Sequence, residues 1–125
     1  MRTVVAIAVA GAAGALARYG LDGFVARRAS GAFPWGTFVV NVSGAFVLGF
    51  VFTVMTEQLT TAPWLRAGVT IGFLGAYTTF STLMLESWRL VEGGEIVAGA
   101  TNLVGSAALG MLAVVAGLTV GRLVA

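Results

Sequence analysis

The chain has no cysteine, no histidine and no lysine. The first absence removes disulfides and thiolate nucleophiles, the second imidazole bases, and the third Schiff-base chemistry; soft metal sites go with them. The acids are few: Asp22, Glu57, Glu86, Glu92 and Glu95. An enzyme is the least favoured class on this inventory. Charge of either sign is scarce, at 10% of residues against about 25% in soluble domains. The net charge of +2 is dispersed, and no basic cluster exceeds Arg27-Arg28, so nucleic acid is excluded as a partner. Proline occurs only as Pro34 and Pro63, both between long apolar runs.

What remains is 58% hydrophobic, the composition of an integral membrane protein set in a lipid bilayer. The length of 125 residues suggests one domain, 1–125. The opening MRTVVAIAVAGAAGALA has the outline of a secretory signal. Its removal would leave a chain still almost wholly apolar, so it reads better as a first span. A helical span takes about 20 apolar residues. Four spans fit, at about 3–25, 35–55, 64–88 and 96–123. Between them lie ARRASGAFP, TEQLTTAP and ESWRLVEGGE, and Trp35, Trp64 and Trp88 fall near span ends, where aromatic belts sit. The expected fold is therefore all-α, with four transmembrane helices and both termini on one side.

Positive charge normally sets orientation. Here Arg2, Arg66 and Arg122 lie on the terminal side, while Arg27, Arg28 and Arg89 lie opposite, with Arg18 near that end of the first helix. The balance leaves two readings: insertion both ways with pairing as an antiparallel homodimer, or one orientation fixed by other features. Small residues recur at helical spacing, as Gly68/Gly72, Gly117/Gly121, Gly11/Ala15 and Ala45/Gly49. In lipid such residues let helix backbones approach closely. Four helices also leave little room for an enclosed aqueous path, which favours an oligomer.

The polar residues inside the spans are Asn41 and Ser43; Thr70 and Tyr77 to Thr82; and Thr101, Asn102, Ser106 and Thr119. Any single Ser or Thr can be satisfied by the carbonyl four residues back. Arg18 and Asp22 are spaced to pair with each other. The third span resists the bland reading. TTFST lies close to its midpoint, after Gly72 and Gly75, which suggests a helix broken near the midplane. Unwound backbone in a membrane needs a covering of protein or a cavity, and its carbonyls can then ligate a cation. The other polar groups are donors without full charge: Asn41, Asn102, Ser81, Thr82 and Ser106. Fixed acids, which a cation pathway would use, are almost absent from the span centres. Uncharged donors suit a small anion. Phe80 stands among them, either as core filler or with its positive ring edge toward an anion.

Four segments carry a resemblance: GAAGALARY (11–19), PWGTFVVNVSGAFVLG (34–49), GFLGAYTTFSTLMLE (72–86) and the weaker NLVGSAALG (102–110). In order and over all four spans, the chain resembles the Fluc (CrcB) family of fluoride channels. The resemblance implies an antiparallel dual-topology dimer with two fluoride pores in a prokaryotic inner membrane. It implies a structural sodium ion (Na+) at the dimer centre, held by the backbone carbonyls of Gly75 and Thr78. It assigns Asn41 and Phe80 to the ion pathway, followed by Ser81, Thr82 and Ser106. Glu86 closes that track, and Arg18 maps near a vestibule.

One position departs. The family pattern is TTFSTF, whereas this chain has TTFSTL, so Leu83 replaces a second phenylalanine. Leu83 keeps the path narrow, or another aromatic such as Phe46 or Tyr77 compensates, or the chain is a subunit that needs a paralogous partner. GAY at 75–77, where the family often has two glycines and an apolar residue, reads as benign. The rival classes are a non-conducting or hetero-dimeric subunit and an exporter like the small multidrug resistance proteins. The latter carry a membrane-embedded acid in the first helix, and here no acid precedes Asp22.

Overall fold

The computed structural model describes residues 1–124. Helix α1 covers Arg2–Ala26 and α2 covers Trp35–Thr53, continued by a π-helical turn, Val54–Gln58. The third hydrophobic stretch is composite. It opens with α3, Pro63–Ala67, and widens into a π-helical segment, Gly68–Leu74. It then returns to one α-turn, α4, Gly75–Tyr77. Thr78 and Thr79 are extended (φ/ψ −81°/155° and −146°/112°), and α5 runs from Phe80 to Glu92. Helix α6 covers Ile96–Leu123. Among the described residues four stretches are long and apolar enough to cross a membrane: Arg2–Ala26, Trp35–Gln58, Pro63–Glu92 and Ile96–Leu123. The second and third run on past the ends expected near residues 55 and 88.

The distribution of side chains is the reverse of a soluble bundle. The buried apolar side chains are Val40, Leu74 and Leu90, accompanied by buried Thr37, Thr53, Ser87, Asn102 and Ser106. Large apolar groups point outward, with Val9 67%, Leu16 71% and Val104 69% exposed. Lipid tails are as apolar as these side chains, so nothing drives them inward. This is a multi-pass membrane protein.

Close backbone approach holds the helices instead. The most extensive interface joins α2 to α6. At its crossing, a Cβ on Gly117 would overlap the carbonyl of Phe46, and one on Gly49 would overlap that of Val114. Helix α1 packs on the π-helical segment in the same way: a Cβ on Gly72 would come within 2.8 Å of the Ile7 carbonyl, and one on Gly14 would overlap the Phe73 carbonyl. Helix α5 meets α6 where Gly99 lies under the Ser87 carbonyl, at 2.8 Å from a would-be Cβ. The turn between α5 and α6 closes with Gly94 at φ 87°. Its N–H bonds back to Val91 and that of Glu95 to Leu90, which satisfies the last carbonyls of α5.

Candidate functional site

The site is built around Thr78 and Thr79. Two residues leave helical geometry inside an apolar stretch, so their peptide groups need partners from outside the helix. Helix α2 supplies them. The side-chain amide of Asn41 lies against the backbone of Thr79: Nδ2 donates to the Thr79 carbonyl at 3.0 Å, and Oδ1 accepts the Thr79 N–H at 2.7 Å. Thr79 in turn caps α5, its hydroxyl oxygen accepting the Thr82 N–H at 3.3 Å. The same hydroxyl donates to Thr82 Oγ1 at 2.9 Å. Arg18 closes the other side, with Nε donating to the Ala76 carbonyl at 3.1 Å. The pairing open to Arg18 and Asp22 does not form; among the described residues the one ion pair joins Arg122 to Glu57.

These partners leave two carbonyls without their helical donors. In an unbroken helix the Thr79 N–H would serve Gly75, and the Thr82 N–H would serve Thr78. Here the first goes to Asn41 and the second to the Thr79 hydroxyl.

Beside the interruption lies a groove of ≈ 420 Å³, open along the flank of the chain. Asn41, Gly75, Thr78, Phe80, Leu83 and Ser106 are among its lining residues, and none of the lining residues is charged. Phe80 is 75% exposed, so it is not core filler within this chain. The groove gathers part of the expected pathway but not all of it. Ser81 is exposed and Thr82 half-buried, and neither lines the groove. Glu86 sits further along α5, beside a separate pocket with Ala32, Pro34 and Arg89. Its Oε1 accepts from the Thr37 hydroxyl at 2.9 Å, while Oε2 is buried with no partner.

Asn102 is fully buried between α5 and α6. Its Nδ2 donates to Ser87 Oγ at 2.9 Å, and Ser87 donates to the Leu83 carbonyl at 2.7 Å. Ser106, four residues on, donates to Asn102 Oδ1 at 3.4 Å. The stripe of donors expected on α6 is thus largely spent on holding α6 to α5, with Ser106 at its groove end. The aromatic substitutes considered for Leu83 are also placed elsewhere in the chain. Neither Tyr77 nor Phe46 lines the groove, and Tyr77 stacks on Phe73 with centroids 6.1 Å apart.

Thr37, Tyr77, Thr79 and Ser87 hold the site together and were not singled out from the sequence as site residues. Thr37 was legible, because it precedes Asn41 by one helical turn and so shares its face. Ser87 had no such signal: a lone hydroxyl in a membrane helix is ordinarily satisfied within its own helix.

Helices long enough to span, an interruption clamped by side chains and an open, uncharged groove define a polytopic membrane protein. The family model described as CrcB-like protein, Camphor Resistance (CrcB), matches residues 5–118. A protein of Geobacter sulfurreducens named "Fluoride-specific ion channel FluC" is 45% identical over 122 residues, 98% of each chain. One of the same name from Nitratidesulfovibrio vulgaris is 47% identical over 124 residues, 99% of this chain and 100% of that one. A third, from Geotalea uraniireducens, is 48% identical over 102 residues, 82% of each. The chain belongs to the CrcB family, a family of channels rather than enzymes.

Proposed function

We propose that the chain is a fluoride-selective channel that lets fluoride leave a bacterial cell passively, as an antiparallel dual-topology dimer with two pores. The observation that carries this is the groove. It is lined by the neutral polar groups of Asn41, Thr78, Thr79 and Ser106 beside an exposed Phe80, with no fixed charge along it. The three hydroxyls donate to Leu74, Thr82 and Asn102 and would have to turn toward an entering anion. Fluoride holds its water tightly. A path for it must supply donors in sequence, each weak enough to let the ion go on. Nδ2 of Asn41 spends one hydrogen on the Thr79 carbonyl and keeps the second. The Phe80 ring brings an electropositive edge without a charge that would trap the anion. Ser81, Thr82 and Glu86 extend the track along α5 toward Thr37, and Arg18 stands behind the interruption at Ala76. The groove is open on one side, and a second copy running antiparallel closes it.

The same dimer brings two interruptions together near the midplane. The Gly75 and Thr78 carbonyls fit a hard cation, since both have lost their helical donors and both are oxygen ligands. A sodium ion there would neutralise four converging carbonyl dipoles and fix the two chains to each other. Hydrogen fluoride crosses membranes and dissociates in a more alkaline cytoplasm, so a passive route outward limits its accumulation.

Leu83 favours a second reading, a hetero-dimeric subunit, because it lines the groove next to Phe80 and has no polarised edge. Fluoride efflux from liposomes holding only the purified chain decides between them. A fluoride electrode with a chloride control should register rapid fluoride release and no chloride release. Silence from folded, inserted protein would overturn the homodimeric channel, and release restored by co-reconstitution with a TTFSTF-bearing paralogue would establish the hetero-dimer.

A further inference from the structure

Helix α2 touches the interruption at more than one point, and the points lie on different flanks. Successive residues are turned by about 100° around a helix, so Gly44 lies about 60° from Asn41 on one side, while Ser43 lies about 160° away. Asn41 grips the backbone of Thr79 from its own flank. On the far flank the Tyr77 hydroxyl meets Ser43 Oγ at 2.9 Å. Ser43 gives its single proton to the Val40 carbonyl at 3.1 Å, which makes Tyr77 the donor of the pair. Between the two ties lies Gly44. A Cβ there would overlap Thr78 Cγ2 and would come within 3.0 Å of Tyr77 Cδ1. The missing side chain is what lets the ring pass over α2 to reach Ser43. The ring is further held flat against Phe73, with 9° between the planes.

Asn41 holds the extended residues to α2, and Arg18 of α1 holds the Ala76 carbonyl of α4. Among the described residues the Tyr77–Ser43 bond is the one side-chain hydrogen bond that ties α4 itself to α2. Tyr77 is the last residue of α4, immediately before Thr78 and two residues after Gly75. We infer that Tyr77, through Ser43, is a positioning residue for the cation site proposed above. It fixes the azimuth of α4 on α2 and so the mutual placement of the Gly75 and Thr78 carbonyls. The inference rests on the cation reading of those carbonyls, and it concerns a side chain that touches neither the ion nor the groove.

Tyr77→Phe removes only the hydroxyl and keeps the ring stacked on Phe73. Ser43 then still has the Val40 carbonyl to donate to, so no buried donor is orphaned. The test is a sodium titration of thermal unfolding in detergent, with choline replacing sodium, for the parent chain, Tyr77→Phe, Ser43→Ala and the double variant. Each single substitution should raise the sodium concentration giving half of the full stabilisation about fivefold, the equivalent of one hydrogen bond of about 1 kcal/mol. The double variant should be no worse than either single one, because both remove the same tie. An unmoved sodium midpoint, or single effects that multiply, would overturn the inference. Fluoride efflux is read in parallel to separate the two proposals. Sodium midpoints that shift as expected in a chain that conducts no fluoride would sink the homodimeric channel and leave the role of Tyr77 standing. Normal conduction with unmoved midpoints would do the reverse.

Discussion

Replacing Asn41 with alanine tests the clamp on the interrupted helix most directly. The substitution removes two hydrogen bonds, of 3.0 Å and 2.7 Å, from the backbone of one residue, Thr79. Hydrogen bonds measured by cycles inside a membrane protein average about 0.6 kcal/mol, and typical net values reach about 1.5 kcal/mol. Two of them give a loss of roughly 1 to 3 kcal/mol. The full penalty for an orphaned buried peptide group should not apply, because Asn41 is only half-buried and lines an open groove that water can enter. Thermal or denaturant unfolding in detergent gives the stability. Asn41→Asp separates the clamp from the donor. Its carboxylate still accepts the Thr79 N–H, but it turns an oxygen toward the Thr79 carbonyl and places a charge in a groove whose lining has none. Asn41→Asp should therefore assemble and yet conduct no fluoride in the liposome assay. A loss below about 0.5 kcal/mol for Asn41→Ala would mean that the interruption is held without this clamp. Unaltered fluoride flux in Asn41→Asp would remove Asn41 from the pathway.

Other outcomes follow from the same geometry. Leu83→Phe should raise fluoride flux by several-fold, since it adds a ring edge to the groove already lined by Phe80; an unchanged electrode trace would mean that Leu83 merely keeps the path narrow. Gly117→Ala should destabilise by about 1 to 3 kcal/mol, because its Cβ lands on the Phe46 carbonyl. Gly105→Ala meets nothing within 4 Å, so it should leave the unfolding midpoint unchanged or slightly raised. Equal effects at the two glycines would contradict the α2–α6 crossing. Asn102→Ala should cost about 1 to 2 kcal/mol by freeing Ser87 and Ser106, with fluoride selectivity over chloride unaltered; altered selectivity would return Asn102 to the pathway.

Glu86 and Asn102 mark how far a linear reading reaches. Both are polar residues within spans, and both stood out from the sequence as pathway candidates. Folding turns them to different partners: Asn102 is enclosed by Ser87 and Ser106, whereas Glu86, the residue next to Ser87 on α5, takes the Thr37 hydroxyl of α2. Which polar group faces a groove and which pins two helices depends on the rotation of each helix about its axis. That rotation is set by backbone contacts at glycines, and their partners are distant in sequence.

Composition alone determined that this chain lives in a membrane. Long apolar runs bounded by charges and prolines determined where it crosses, because the bilayer demands a fixed length of apolar helix. The cluster of hydroxyls after Gly75 marked the place where a helix could yield. Only the tertiary structure decided what each hydroxyl does. Asn41 takes the N–H and carbonyl of Thr79, the Thr79 hydroxyl takes the Thr82 N–H, and Arg18 takes the Ala76 carbonyl. The physical reason is that a peptide group without water must find its partner in space. Arg18 and Ala76 are neighbours only because α1 lies against the interrupted helix, across 58 residues of chain.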